Sequence, residues 1–445
     1  MLSRVQKVYF GMARLGPSIM LDMLDLASAL FYFSLMALPA IYTGASIAFS
    51  YIAIMVSELT FGNLSDRTVT RWGRRKPFVM VGAPLMAISF LFVFTPTAFV
   101  NPADEMALFV YALITMSLFK VFYGMTMTPF QSWMPELTEP EERPAVSSWQ
   151  NVANFLGFVT GTFGTILLAS VAPSALTLVI LGFVAIQLAG FAPSLALLNK
   201  EGKFIQRPNF TEELKRALKN RDYVGWMFAQ GVMSVGMAMI IKTAFPFIQD
   251  FLRFSLTEMI VFGAELLIVV FGFFLVWRWS IRHRGKKRTI QTALFVASLA
   301  LPMTLLVTTS IEGFILLALV GAGVSGYYLF PYIVYADFAQ KDEILTGEGR
   351  AGMYTSVPTV TLNSFQALSA LLWGIVFSLP KVLAVPRAPT DPLLTMGYRL
   401  WGPIAAVFLL LAIIILGWID LDPDFEKLKA ERGIKEQTAE ASKSE

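Results

Sequence analysis

The sequence contains no cysteine and a single histidine, His283, among 445 residues. The first absence excludes disulfides and thiolate metal sites. The second sets aside histidine-based metal centres and a Ser/His/Asp triad. Charge is also scarce. Asp, Glu, Lys and Arg make up 15% of the chain, against about a quarter in soluble domains. The formal net charge of +4 gives no nucleic-acid footprint. What is present is apolar: 56% of residues are hydrophobic and mean hydropathy is +0.63. A soluble core of this length cannot bury so much, so lipid is the expected solvent for much of it. No cleavable signal is expected, because the first apolar stretch, 9–38, is too long for an h-region.

A spanning helix needs about 20 mostly apolar residues. Twelve stretches qualify: 9–38, 45–64, 77–98, 104–128, 148–170, 175–199, 222–247, 256–279, 288–309, 311–336, 353–380 and 398–420. The predicted fold class is therefore an all-α membrane protein with twelve transmembrane helices. Barrel strands would be about ten residues long and alternate, which these are not. With both termini cytoplasmic, 29 of the 35 Lys and Arg residues fall in the inner segments, the bias that sets orientation.

The polar interval NKEGKFIQRPNFTEELKRALKNRDYVGW separates two sets of six helices. Expected units are an N-terminal bundle 1–199, a linker 200–221, a C-terminal bundle 222–420 and a polar tail 421–445. In the linker, Thr211 is placed to cap a short helix lying on headgroups. The tail is expected to be disordered beyond Gly433. The two bundles read as distant copies. RWGRRK (71–76) answers RGKKR (284–288), TPFQSWMPE (128–136) answers FPYIVYAD (330–337), and Arg143 answers Arg350, at offsets of 212, 202 and 207 residues. Repeated halves in one orientation are a transporter architecture, with the binding site between them near the midplane.

Ionisable residues inside spanning helices are expensive and usually face protein or water. Asp22 and Asp25 lie three apart, on one helix face with Ser18. They repel unless a cation sits nearby, and Lys120 is the candidate. The pair reads equally as a proton or solute site and as a buried structural ion pair. Glu58 lies about 9 Å from the inner end of the second helix, at roughly 1.5 Å per residue. It suits proton exchange, or a packing contact with a gate arginine. Lys242, near the outer end of the seventh helix, is expected to snorkel to the interface. Glu258 fits a capping box with Ser255. Glu265, two turns deeper, is placed to line a cavity or to pair with a neighbour. Gln150 and Asn154 share a face of the fifth helix, and Asn363 and Gln366 lie in the eleventh; all four suit sugar hydroxyls or interhelical bonds. Tyr327, Tyr328 and Trp373 are candidates to stack on a sugar ring.

The stretch GNLSDRTVTRWGRRKPF resembles the signature between the second and third helices of the major facilitator superfamily. Its longer spacing, with TPFQSWMPELTEPEERPAVSSWQ and ADFAQKDEILTGEGRAG, resembles the glycoside–pentoside–hexuronide cation symporters and the sucrose transporters. The resemblance covers the whole twelve-helix layout and implies two pseudo-symmetric six-helix bundles working by alternating access. It places Asp66 against the start of the eleventh helix, near Ala351–Tyr354. It also implies a cytoplasmic gate joining Arg67, Arg71, Arg74, Arg75, Arg143 and Arg350 to Glu136, Glu142 and Asp337.

The match departs from the family at its coupling and sugar positions. Of the family's carboxylate positions, Glu58 keeps one, whereas others fall on Ile54 and Met127, so a three-carboxylate sodium site is not reproduced. The family's fifth-helix arginine falls near Gln150, its first-helix aspartate near Ser18, and its eleventh-helix lysine near Asn363 or Ser364. The expectation is a monomeric cell-membrane symporter of a small polar solute, a sugar or glycoside, without cofactor or metal and with a proton in preference to sodium. Glu58, Asp22, Asp25 and Lys120 form the coupling set. Gln150, Asn154, Asn363, Gln366, Glu265, Tyr328 and Trp373 form the solute set. A facilitator or exporter of amphiphiles is the alternative, and a membrane enzyme or sensor a more distant one.

Overall fold

The computed structural model describes residues 3–68, 70–138, 142–170, 173–197, 218–346, 351–382, 395–428 and 430. Thr211 with most of the expected linker helix, Arg350 and the tail beyond residue 430 lie outside them. Every regular element among the described residues is helical. In chain order these are α1 Arg4–Leu35, α2 Ala40–Arg67, α3 Lys76–Val93, α4 Glu105–Leu137, α5 Arg143–Ser170, α6 Pro173–Leu197, α7 Arg221–Phe251, α8 Leu256–Arg284, α9 Lys286–Ala300, α10 Ser310–Thr346, α11 Ala351–Val382 and α12 Met396–Gly417.

Eleven of the described helices are long and apolar enough to cross a membrane. The remaining one, α9, has 15 residues and runs on as a tighter five-residue turn, Leu301–Leu305. Large side chains such as Ile268, Leu275 and Leu178 point outward, each at least 70% exposed. That apolar belt is the face lipid would cover. Trp72, Trp279 and Trp418 are exposed near helix ends, as interfacial aromatics are. The protein is a multi-pass membrane protein.

Starts and stops follow local chemistry. Ser3 and Ser255 each close a capping box, the latter with Glu258 as expected. Asp104 and Asn220 cap α4 and α7. The counterpart glycines Gly73 and Gly285 both take positive φ, 102° and 82°, which a side chain resists. Each lets the chain reverse between antiparallel helices in a few residues.

α1 and α7 finish alike. Each ends in a widened turn, Leu30–Leu35 and Phe247–Phe251. The Met36 and Leu38 amides donate to the carbonyls of Phe31 and Tyr32, and the Leu252 and Phe254 amides to those of Phe247 and Ile248. A non-glycine residue then adopts left-handed φ, Ala37 at 56° and Arg253 at 55°. The two motifs are 216 residues apart throughout.

Within the first six helices, α1 packs on α5 and α6, and α4 on α2 and α3; the last six repeat this with α7, α11 and α12, and α10 with α8 and α9. Among the described residues the main seams joining the halves are α2 on α11, α1 on α7, and α5 on α8. The α2–α11 seam closes on bare backbone. A Cβ on Gly374 would meet Ala40 O at 2.9 Å and Gly44 Cα at 3.3 Å. Gly374→Ala should therefore lower the thermal midpoint, by the equivalent of about 1–3 kcal/mol for overpacking. An unchanged melt would show that the seam opens freely.

Candidate functional site

Charged side chains from both halves converge in the middle of the bundle. Lys120 Nζ, on α4, lies 2.8 Å from Asp25 Oδ1 and is 2% exposed. The same carboxylate oxygen accepts from the Tyr51 hydroxyl of α2 at 3.2 Å. Lys120 also sits over the Tyr51 ring, 4.5 Å from its centroid. An ammonium this deep needs such a carboxylate, because desolvation alone costs several kcal/mol. The sequence expectation of an Asp25–Lys120 pair matches this contact.

Asp22 lies one turn nearer the N-terminus, in the field of Arg14, Lys120 and Asp25. The residue is partly exposed, and its carboxylate takes no hydrogen bond among the described residues. Close by, the Arg14 Nε–H and the Ser18 hydroxyl both donate to Asn154 Oδ1 of α5, at 2.5 and 2.6 Å. Their approach depends on Gly157, where any Cβ would collide with Ser18. Gln150, a turn from Asn154, leaves Nε2 buried without an acceptor among the described residues.

Across the seam, α7 brings Lys242 to Tyr51 as well, with Nζ 5.1 Å from the ring centroid. Lys242 is 2% exposed and does not snorkel. The helix runs on through its widened turn to Phe251, which leaves Lys242 about 14 Å from the end at 1.5 Å per residue. Among the described residues its ammonium donates only to Ala238 O of its own helix, at 3.3 Å. From α10, Tyr328 lies close to Asp22 and Asp25 and is 44% exposed, while its neighbour Tyr327 is 7% exposed. Exposure beside two interior carboxylates marks Tyr328 as a wall of the cleft.

Glu58 lies beyond this group on α2, hydrogen-bonded to Thr359 of α11 and in the field of Lys120. Its partner is a hydroxyl of the opposite half and not a gate arginine. Asn363 is buried and Gln366 half-buried in α11, neither with a hydrogen bond among the described residues. Glu265 keeps Oε2 buried and, among the described residues, unpartnered. Trp373 departs from expectation. It is fully buried, donates from Nε1 to Thr243 Oγ1 at 3.0 Å and stacks on Phe377. Those contacts pin α11 to α7 and leave no ring face free for a solute.

At the basic end, Arg75 is 2% exposed, pairs with Asp66 and donates to Ser65 Oγ at 2.6 Å. Arg74 is buried as well, Arg71 lies over Trp72 at 4.3 Å, and Arg67 closes the last turn of α2. Glu142 pairs with Lys7 at 3.0 Å, and Asp337 with Lys286 at 2.5 Å. Each of these pairs joins helices of one half. The side chains of Glu136, Arg143 and Ala351–Tyr354, and all of Arg350, lie outside the described residues.

The opposite end is clasped across the halves. The Ser34 hydroxyl of α1 donates to Asp250 Oδ2 of α7 at 2.5 Å, and the Tyr398 hydroxyl of α12 donates to the same oxygen at 2.6 Å. Phe33 lies edge-on to Trp373 and Phe377, with centroids 5.4 and 5.7 Å away. Sequence reasoning passed over Asp250 because the apolar run stops at 247, four residues before the helix does. It passed over Tyr51 and Arg14 because one tyrosine among thirteen and one arginine near a terminus carry no distinguishing pattern.

The comparisons agree with this architecture. The inner membrane symporter YicJ of Escherichia coli is 28% identical over 163 residues, 36% of this chain and 34% of that one. A lactose permease of Lactobacillus delbrueckii subsp. bulgaricus is 30% identical over 110 residues, 24% of this chain and 18% of that one. The matched part is thus about a third or less of these relatives' length. The crystal structure of a bacterial homolog of the human lysosomal transporter Spinster superposes with a TM-score of 0.69 at 14% identity, over 93% of this chain and 97% of that one. Residues 7–422 match the family described as MFS/sugar transport protein, and with twelve described helices in two like halves around a charged cleft, the chain belongs to that family.

Proposed function

We propose that the protein is a secondary transporter of a small polar solute, a sugar or glycoside, moved together with a proton by alternating access. The observation that carries this reading is the charged group held between the two halves, far from either membrane face. Transporters built from repeats place their sites there. Glu58 is the proton carrier, since it sits on the seam, bonded to a hydroxyl of the other half. Asp22, Asp25 and Lys120 link its charge to the cleft, where Asn154, Gln150, Asn363, Gln366 and Tyr328 meet the solute. The basic end faces the cytoplasm with both termini, Asp66 and its arginines forming the latch on that side. The location is the cell membrane, the working form a monomer among lipids, and no covalent chemistry is involved. The names of the relatives, a symporter and a lactose permease, support solute and coupling alike.

An amphiphile carrier would open its cleft sideways to the bilayer. One open groove of about 430 Å³ does face outward between α2 and α4, lined by Phe49, Ile52, Val56 and Val121. The charged residues do not line it, which favours the polar solute.

The test is reconstitution in liposomes under an imposed pH gradient, with sugars and glycosides as solutes. Glu58→Gln should abolish uphill uptake while leaving exchange down a gradient. Uphill uptake at the parent level would remove Glu58 from the coupling step.

A further inference from the structure

The turn between α8 and α9 gathers positive charge that is only partly neutralised. Six Lys and Arg residues occur from Arg278 to Arg288, and no Asp or Glu lies between Glu265 and Glu312. The two lysines are engaged. Lys286 pairs with Asp337, and the Lys287 ammonium donates to Gly417 O at the end of α12, at 2.7 Å. Asp422 is occupied at the start of α9, where it accepts from the backbone amides of Lys286 and Lys287 at 2.6 and 3.1 Å. The four arginines, Arg278, Arg282, Arg284 and Arg288, are all exposed. Among the described residues none of them takes a hydrogen bond or an ion pair.

The first half treats the matching positions differently. At the offset of 212 that relates Gly73 to Gly285, Arg278 falls on Asp66 and Lys287 on Arg75. Asp66 draws Arg75 inward and buries it. With an arginine in the place of that acid, the second half builds no such pair, and its guanidiniums stay outside.

Two of these arginines continue lipid-facing stripes. On α8, Ile268, Leu275, Trp279 and Arg282 are spaced by seven, four and three residues, so they share one exposed face. Arg278 flanks that face one turn before Arg282. On α9, Arg288, Thr292, Phe295 and Leu299 are spaced by four, three and four, and all four are exposed. Each stripe is apolar along its length and ends in a cation at the basic end. Ile268 to Arg282 spans about 21 Å at 1.5 Å per residue, which exceeds the ~15 Å of hydrocarbon in one leaflet. Trp279 and Trp418, both exposed, mark the headgroup level there. Orientation alone asks for cations in the loop, in any register and of either kind. Here the free ones are arginines, two of them in register with apolar stripes, and a guanidinium fork matches phosphate oxygens.

We propose that the α8–α9 turn binds an anionic phospholipid. Its phosphate is received by Arg282 and Arg288, three residues to either side of Gly285, and an acyl chain lies along Leu275 and Ile268. The site is on the outer surface of the second half, apart from the central cleft. It depends on the chain lying in a bilayer and not on the solute or its coupling.

The experiment uses the full chain in phosphatidylcholine nanodiscs doped with a minor fraction of lipid brominated on its acyl chains, either phosphatidylglycerol or phosphatidylcholine. Bromine quenches nearby indoles, and subtraction of the Trp279→Phe variant isolates Trp279. A surface arginine raises the local concentration of a monoanionic lipid about fivefold. Brominated phosphatidylglycerol should therefore appear at least about fivefold enriched at Trp279 over brominated phosphatidylcholine. Arg282→Gln with Arg288→Gln should remove most of that enrichment. Lys219→Gln with Lys427→Gln, which subtracts the same charge elsewhere on the basic face, should keep it. Equal quenching by the two lipids overturns the site, and this comparison uses the parent protein, so it decides even where the arginine variant does not fold. Enrichment that survives in the folded arginine variant overturns the role of Arg282 and Arg288. Equal loss in the lysine pair assigns the effect to the general field of the basic face and overturns a built site. Displacement of the lipid by inorganic phosphate, beyond that caused by chloride at the same ionic strength, overturns the lipid as the occupant.

Discussion

Asp25→Asn should destabilise the protein by about 3–5 kcal/mol, the range for removing one partner of a buried ion pair. Lys120 is 2% exposed and Asp25 28% exposed, with 2.8 Å between them. Without the carboxylate, the ammonium keeps the Tyr51 ring face, a contact worth about 0.5–2 kcal/mol, and the more distant fields of Asp22 and Glu58. Lys120→Gln should cost about as much, because it leaves Asp25 beside Asp22 with one cation fewer. The informative variant is Asp25→Asn with Lys120→Gln, in which amide meets amide and no bare charge remains. Its thermal midpoint should recover a large part of what either single change loses. Strictly additive losses would show that the two side chains stabilise the fold independently. Transport should fail in all three variants, so stability and activity separate here: the double variant is folded and idle.

Asp250→Ala should open the opposite end. One carboxylate oxygen holds Ser34 of the first half and Tyr398 of the second, at 2.5 and 2.6 Å. Hydrogen bonds to a charged group are worth about 1.5–3 kcal/mol each, and the Ser34 bond exists only while the halves are together at this end. Its loss should shift the balance toward the open form by about tenfold or more. The chain has no cysteine, so a single Tyr328→Cys supplies the only thiol, on the wall of the cleft. A membrane-impermeant maleimide added from the clasped side should label it several-fold faster with Asp250→Ala than without. Equal rates would mean that the Phe33–Trp373–Phe377 ring cluster holds this end closed unaided.

Much of this could be read from the sequence because the membrane imposes simple rules. Length and apolarity delimit the spans, basic residues mark one set of loops, and Ser255 with Glu258 announces a helix start. Asp22, Asp25 and Lys120 stood out because a charge in a greasy helix has few innocent explanations. Lys242 belonged to that class, and it was misplaced by a count that ended α7 too early. The widened turn at Phe247–Phe251 adds a polar aspartate to a helix that hydropathy alone closes at 247. Trp373 misled for another reason: aromatic residues are 13% of the chain, and composition does not say which of them a neighbour has already covered. Seams are the least legible feature. That Gly44 meets Gly374, or that Thr359 meets Glu58, depends on the rotation of one helix against another.

The matched endings of α1 and α7 bear on the history of the clasp. Ser34 and Asp250 occupy the same place in the two motifs, so the bond between them joins a position to its own counterpart. In an ancestral pair of identical subunits that position would have faced itself across a dyad, as isologous contacts do. Two aspartates there would repel and two serines would bond only weakly. In one polypeptide the two sites are free to differ, one a donor and the other an acceptor, and so form a contact that an exactly symmetric pair could not build.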